Sequence, residues 1–210
     1  MNRDKIKSVI ESTITEIEAE YQKTQGLILT EDDLKSILFH KLSNNYPRII
    51  KPRITEDDHV SASMLHTELS WYDKRGKLTI KPDITILDSR YLSILHKNGD
   101  KVSLPSKGYS FRGDAVLMEL KFIRNKTGIR PTTVTGRLRK DLVKIKNLFQ
   151  RLENQGAPYH IFCYFIIFNK TDIKCKEFLD FKKSINTSDN IKYKLIYATG
   201  KVKFPNKTSA

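Results

Sequence analysis

Apolar residues recur at helical spacing in two segments near the start of the chain. In the first, charged residues separate an apolar series that predicts a helix over residues 4–23: Ile6, Ile10, Ile14, Ile17 and Tyr21. A second helix is predicted to begin at Thr30, because Thr30 can cap it while Asp33 completes a capping box three residues later. Its apolar positions are Leu34, Ile37, Leu38 and Leu42.

From about residue 60 the apolar period shortens to two, which indicates strands. The segments HTELSWY (66–72) and LTIKPDITIL (78–87) are predicted as two strands joined in a hairpin through residues 73–76. The segment DAVLMELKFI (114–123) predicts a third, strongly apolar strand. Between them, residues 88–113 are harder to interpret, with a strand over 91–95 and a polar loop as the expectation.

The second half of the chain alternates helices and strands. A polar loop over 124–136 is predicted to lead into an amphipathic helix, followed by the continuous apolar run HIFCYFIIF (160–168), typical of a strand covered on both faces. A helix over 172–185 and a strand over 191–197 follow. Two helices, three strands, helix, strand, helix and strand predict an α/β sandwich with a mixed sheet.

Composition narrows the class of partner. The 210 residues suit one domain, and the formal net charge of +14 favours a polyanion such as nucleic acid over a membrane. The stretch from Lys121 to Arg151 holds ten Lys or Arg and one acid, Asp141, which indicates a basic face. Two cysteines, no signal-peptide pattern and no apolar run of membrane-spanning length lead us to expect a cytoplasmic protein.

Charged residues interrupt the third predicted strand on one face only. Side chains alternate along a strand, so Glu119 and Lys121 point the same way, about 6 to 7 Å apart. The opposite face is entirely apolar: Val116, Met118, Leu120 and Phe122. Thirty-six residues before Glu119, Asp83 follows Pro82, and a proline inside a strand implies an edge, a bulge or a bend. Such a bend could aim Asp83 towards Glu119, and two carboxylates are suitable ligands for Mg²⁺.

Pro82-Asp83 followed by Glu119-Leu120-Lys121, each on a predicted strand, resembles the PD-(D/E)xK nuclease superfamily. The resemblance implies a restriction-endonuclease-like three-layer sandwich, a central mixed sheet flanked by helices. It would form one domain, with an N-terminal helix (1–28), a catalytic core (30–168) and a C-terminal helix and strand (169–210).

The resemblance also implies roles for individual residues. Asp83 and Glu119 would bind Mg²⁺ or Mn²⁺ with help from the carbonyl of Leu120, and Lys121 would be catalytic. A further acidic ligand would be Glu31 on the leading helix or Glu68 on the first strand. The expected activity is hydrolysis of nucleic acid phosphodiesters, with double-stranded DNA favoured, in restriction, repair or recombination. A homodimer or a larger nucleoprotein complex would fit cleavage of both strands.

Basic residues after the third strand are candidates for phosphate contacts, which would give affinity and salt dependence without sequence choice. Those in the loop and in the helix that follows are Arg124, Lys126, Arg130, Arg137, Lys140 and Lys144.

Simpler interpretations remain open at this point. Glu-x-Lys is compatible with a solvated strand face, Pro-Asp with an ordinary turn, and Glu31 with an acid favoured by the helix macrodipole. Two other functions compete with a nuclease: a non-catalytic nucleic-acid-binding module of the same fold, and a basic α/β protein-interaction domain. In the latter, Asp83 and Glu119 need not lie close together.

Overall fold

A computed structural model of the chain describes residues 1–72, 78–93, 109–154, 160–186 and 192–204. Four helices dominate the described part: α1 (Arg3–Lys23), α2 (Glu31–Asn45), α3 (Arg139–Asn154) and α4 (Lys176–Ile185). Short 3₁₀ turns cover Pro47–Ile49 and Ser89–Tyr91. Among the described residues, no helix combines the length and the apolar character needed to cross a membrane.

A mixed five-stranded sheet forms the centre of the molecule. Its strands are β1 (Leu65–Thr67), β2 (Ile84–Leu87), β3 (Ala115–Ile123), β4 (Ile161–Asn169) and β5 (Tyr193–Thr199), in the spatial order β5-β4-β3-β2-β1. Within β1, β2 and β3 neighbouring strands are antiparallel, whereas within β3, β4 and β5 neighbouring strands are parallel. Helix α3 connects β3 to β4 and helix α4 connects β4 to β5, as parallel neighbours require.

Helices cover both faces of this sheet. Helices α1 and α2 pack on one face, against the even-numbered residues of β3 and β4 from Val116 to Phe168. Helices α3 and α4 cover the other, where Leu142 and Phe178 meet Ile123 and Phe165. All nine residues of β4 are buried, as predicted for a strand covered on both faces. The predicted α/β sandwich with a mixed sheet is therefore confirmed.

The predicted helix starts at the N-terminal end are confirmed by their caps. Asn2 accepts a hydrogen bond from the amide of Lys5 at the start of α1. At the start of α2, Thr30 accepts from the amide of Asp33 at 3.0 Å, and Asp33 accepts from the amide of Thr30 at 2.9 Å. This is the reciprocal capping box expected from the sequence.

Both strands of the predicted hairpin are interrupted in the structure. The segment 66–72 divides at Glu68, which has a φ of +52°, a left-handed conformation that is uncommon outside glycine. The segment 78–87 divides at Pro82, whose ring removes a ladder donor. The pieces Leu65–Thr67 and Ile84–Leu87 pair with each other in the central sheet, whereas Trp71–Tyr72 and Leu78–Ile80 form a separate two-stranded sheet. The predicted connection through residues 73–76 lies outside the described residues.

Two further pairs of short strands are described outside the central sheet. Arg53–Ile54 pairs with Ser61–Ala62, and Leu92–Ser93 pairs with Ser110–Phe111. Of the strand expected over residues 91–95, Leu92–Ser93 is a strand in the structure. Residues 94–108 lie outside the described part of the chain.

The loop predicted over 124–136 is shorter than expected. Helical structure begins at Pro131, passes through a π-helical turn at Val134–Leu138 and continues as α3. Proline at the first helical position is favoured, because its missing N–H would have had no partner there. The predicted apolar stripe is confirmed where it is described: Leu138, Leu142, Ile145 and Leu148 are buried.

Candidate active site

Glu119 and Lys121 lie side by side on the face of β3 that α3 covers. Their neighbours on that face, Leu117 and Ile123, belong to the apolar clusters under α3. Lys121 Nζ donates to Glu119 Oε1 at 2.9 Å, and the two side chains are only 8% and 13% exposed. A buried ion pair thus occupies a position where an apolar pair would be the ordinary choice.

Asp83 reaches the same place from the neighbouring strand. Strand β2 begins at Ile84, paired with Met118, so β3 continues past the point where its antiparallel neighbour begins. The Asp83 carboxylate occupies this gap, and its Oδ2 accepts the amide N–H of Leu120 at 2.7 Å. The predicted bend at Pro82 therefore brings Asp83 next to the Glu-x-Lys segment.

Glu31 joins the site from the opposite layer. It is the first residue of α2, and its Oε2 accepts the amide N–H of Phe122 at 2.9 Å. Its Oε1 lies 3.5 Å from Lys121 Nζ, and Arg137 pairs with Oε2 at 3.0 Å. Asp83 and Glu31 thus accept two amides of the same exposed edge of β3, which is why acids from different elements converge there.

Asp141 is a site residue that was not predicted. Its Oδ2 lies 3.6 Å from Lys121 Nζ, and its Oδ1 accepts from Lys144 at 2.8 Å. The sequence contained a signal for it, because Asp141 falls between Leu138 and Ile145 on the apolar stripe of the helix. An acid at such a position, in an otherwise basic stretch, needs a buried cation.

Burial raises the pKa values of the two central carboxyls. Burial raises the pKa of Glu119 to about 7; the nearby Asp83 carboxylate adds to this, while Lys121 opposes it. Burial also raises the pKa of Asp83, against the stabilising hydrogen bond from Leu120. Ionisation of either carboxyl therefore places negative charge in the site that the protein alone does not fully compensate.

Lys121 remains cationic in this setting. Burial by itself would lower its pKa, but the carboxylates of Glu119, Glu31 and Asp141 more than offset that and raise it above the ordinary value. The lysine is therefore a fixed positive charge and hydrogen-bond donor beside the carboxylates.

The donor chemistry of the site fits a divalent cation, although the carboxylates are not arranged as a metal shell. Asp83, Glu119 and Glu31 offer hard oxygen ligands, which Mg²⁺ and Mn²⁺ prefer, and a bound cation would favour the ionised form of the two buried carboxyls whose pKa values are raised. Within the described residues, however, no group of three or more His, Cys, Asp and Glu side chains is placed to hold a metal ion. Each of these carboxylates instead holds a protein donor.

Glu68, the other predicted acidic ligand, has different partners. Its carboxylate pairs with Lys81 and, at 2.8 Å, with Lys35. These two lysines lower the pKa of Glu68 to about 2. Of the two predicted acids, Glu31 therefore contacts Lys121, whereas Glu68 contacts Lys35 and Lys81.

The predicted phosphate-contacting residues surround the site unevenly. Arg137 and Lys144 contact it directly through Glu31 and Asp141, and both keep more than half of their side chains exposed. The remaining predicted contacts are exposed and lie on the loop after β3 or on α3: Arg124, Lys126, Arg130 and Lys140.

Comparison of the chain with protein-family models, with curated proteins and with solved structures found no match.

Proposed function

We propose that this chain is a metal-dependent nuclease of restriction-endonuclease-like architecture that hydrolyses phosphodiester bonds, with double-stranded DNA as the favoured substrate. The observation that carries the proposal is the position of Asp83, which lies in the gap beside β3 next to Glu119 and Lys121 on that strand. Three antiparallel strands followed by two parallel crossovers also agree with that architecture.

The buried charges of the site are better explained by a role in catalysis than by a role in stabilising the fold. An ion pair buried in this way contributes little to stability, because desolvation opposes the attraction of the charges. A divalent cation held by Asp83 and Glu119, with Glu31 or the Leu120 carbonyl as further ligand, would activate water and offset charge on a phosphoryl oxygen. Glu119 and Asp83 would then be ionised ligands rather than repelling neighbours.

Lys121 has a separate role in this proposal. Since its pKa is raised, the protonated side chain is suited to orienting an attacking water and to offsetting developing phosphate charge, rather than to accepting a proton. Contacts with Glu119 and Asp141 fix its position. The basic residues around the site would hold the nucleic acid backbone.

One observation favours a second candidate, a nucleic-acid-binding module without activity. Asp83, Glu119 and Glu31 each already hold a protein donor, and this is sufficient to satisfy the edge of β3 without a metal. In that case the carboxylates serve to end the sheet, and the basic surface alone carries the function.

Cleavage of plasmid DNA separates the two candidates. The wild-type chain, Asp83→Asn and Lys121→Ala would be incubated with supercoiled plasmid and Mg²⁺ or Mn²⁺, beside an EDTA control. We expect metal-dependent nicking by the wild type and a loss of about 10²- to 10³-fold in Lys121→Ala, the range for removal of one charge-stabilising donor.

The matched control is Lys5→Ala, an exposed lysine in the first turn of α1. It should cut at the wild-type rate. Wild-type protein that cuts duplex, single-stranded and branched substrates no faster than both site variants would leave the binding module as the better account.

A further inference from the structure

The ends of the three parallel strands form a basic surface next to the site, which includes the predicted phosphate contacts Arg124, Lys126 and Arg130. Because β3, β4 and β5 are parallel, the segments that leave their carboxyl ends meet at one edge of the sheet. We call residues 124–130, 170–175 and 200–204 the carboxyl edge. They hold seven cations and one acid: Arg124, Lys126, Arg130, Lys170, Lys174, Lys201 and Lys203 against Asp172.

Backbone hydrogen bonds fix the three segments to one another. Lys170 N donates to Ile123 O at 3.0 Å, and Val202 N donates to Lys170 O at 3.0 Å. Between the first two segments, Ile129 N donates to Ile173 O at 3.0 Å and Cys175 N to Ile129 O at 3.1 Å. The cations are therefore carried on a connected backbone rather than on independent loops.

Two glycines permit this close assembly. Gly128 has a φ of +67°, and a Cβ there would overlap the carbonyl oxygen of Ile173. A Cβ on Gly200 would overlap the ring of Tyr21 on α1. Larger residues at either position would push the segments apart, so the edge depends on glycine in both places.

Aromatic rings bring lysines from different segments together. Lys126 Nζ and Lys170 Nζ lie 5.3 Å and 5.2 Å from the centroid of the Phe204 ring. Lys174 Nζ lies 4.8 Å from the Tyr197 ring. Cation–π contacts of this kind hold ammonium groups near one another despite their repulsion. The single acid, Asp172, is already paired with Lys174 at 2.8 Å.

The carboxyl edge is continuous with the candidate active site. Ile123, which accepts the amide of Lys170, is two residues beyond Lys121, about 6.6 Å along the strand. Neighbouring strands lie about 4.8 Å apart, so the edge extends away from Lys121 across the ends of β4 and β5. A phosphodiester backbone at Lys121 would meet the next cations in this direction.

We propose that the carboxyl edge binds the phosphodiester backbone of nucleic acid flanking the cleavage position, with Lys170 and Lys203 among its phosphate contacts. The inference rests on the proposed function, since it takes the substrate at Lys121 to be nucleic acid. It adds the direction in which the substrate leaves the site, across β4 and β5 and away from β1. Contacts of this type give affinity and a salt dependence, not sequence choice.

Binding of a labelled DNA duplex across a salt series tests the proposal. The full chain and Lys170→Gln/Lys203→Gln would be titrated in EDTA by fluorescence anisotropy, so that binding is measured without cleavage. Each lost phosphate contact removes about one unit from the slope of log affinity against log salt, so we expect a slope shallower by about 2.

The control is Lys5→Gln/Lys51→Gln, which removes equal charge from two exposed lysines at the other end of the sheet. It should keep the wild-type slope, and all three proteins should have equal melting temperatures. An edge variant that keeps the wild-type slope overturns the inference and leaves the proposed function intact.

Two further outcomes separate the inference from the function. Wild-type protein that binds duplex through these lysines but shows no metal-dependent cleavage supports the inference and contradicts the nuclease. Wild-type protein that binds no nucleic acid overturns both. Vesicles containing phosphatidylserine provide a last arm: an edge variant that loses vesicle binding but binds duplex normally overturns the assignment to nucleic acid.

Discussion

The two faces of β3 are both buried, but they bury different chemistry. Towards α1 and α2 the strand presents Met118, Leu120 and their apolar neighbours, fully enclosed by aliphatic and aromatic side chains. Towards α3 it presents Glu119 and Lys121, nearly as enclosed. The first face lowers the free energy of folding, whereas the second leaves carboxyls with raised pKa values. We therefore expect the Met118 face to contribute more to stability, and the Glu119–Lys121 segment of the other face to carry the proposed chemistry.

The largest difference between the faces should appear in stability. Met118→Ala should lower the free energy of unfolding by about 2–5 kcal/mol, because it opens a cavity in the apolar layer. Glu119→Gln should leave it unchanged or raise it at pH 7, since the amide still accepts a hydrogen bond from Lys121 and removes both the buried charge and its repulsion with Asp83. Urea denaturation measures both. A loss of unfolding free energy in Glu119→Gln as large as that in Met118→Ala would show that the charged face mainly stabilises the fold.

The charged face should also make stability depend on pH in the metal-free protein. The folded-state pKa of Glu119 is raised from 4.5 to about 7, so the folded state binds more protons in that window. Stability from this group is full below about pH 4.5 and is lost as pH rises towards 7, by up to about 1.4 kcal/mol per pH unit. The apolar face contributes no such dependence.

Urea denaturation of the wild type and Glu119→Gln in EDTA, at several pH values, isolates that contribution. The wild type should lose stability relative to the variant as pH rises from about 4.5 to 7. Parallel profiles, or a relative gain by the wild type, would show that Glu119 is not the buried, repelled carboxyl described above.

Asp141 should affect turnover more than substrate binding. Asp141→Asn removes a carboxylate 3.6 Å from Lys121 Nζ and should lower kcat about tenfold with KM little changed, because the lysine loses one of its fixed partners. Steady-state cleavage kinetics measure the split, with Asp141→Glu as the conservative variant expected to recover part of the loss. A change confined to KM would assign Asp141 to substrate binding instead.

The smallest effect is expected at Glu68. Its carboxylate is half exposed and paired with Lys35 and Lys81, so Glu68→Gln should cleave within about twofold of the wild type. Glu31→Gln, with the same chemical change beside Lys121, should lose activity. Comparison of the two rates decides which predicted acid belongs to the site. A larger loss in Glu68→Gln than in Glu31→Gln would make Glu68 the further acidic ligand.

Features of the fold and the candidate site that local periodicity determines could be predicted from the sequence. Alternation along β3 places Glu119 and Lys121 on the face opposite Met118 and Leu120. Pro82 predicts the interruption of the strand next to Asp83. The sequence also contains a signal for the helical start at Pro131, because proline is favoured at a first helical position. The prediction of a loop over residues 124–136 did not use this signal.

Contacts between distant segments could not be predicted in the same way. The left-handed φ of Glu68 and its pairing with Lys35 depend on how β1 meets α2. Asp141 reaches Lys121 only because α3 packs across β3. The carboxyl edge likewise arises from the parallel pairing of three strands, which brings together cations nearly eighty residues apart in sequence.

Binding of Mn²⁺, followed by isothermal titration calorimetry, tests most directly whether the charged face of β3 is built to hold a metal. We expect one Mn²⁺ site per chain in the wild type and in Glu68→Gln, with binding lost or severely weakened in Asp83→Asn. Mn²⁺ binding of equal strength in Asp83→Asn, or no binding by the wild type, would contradict this expectation.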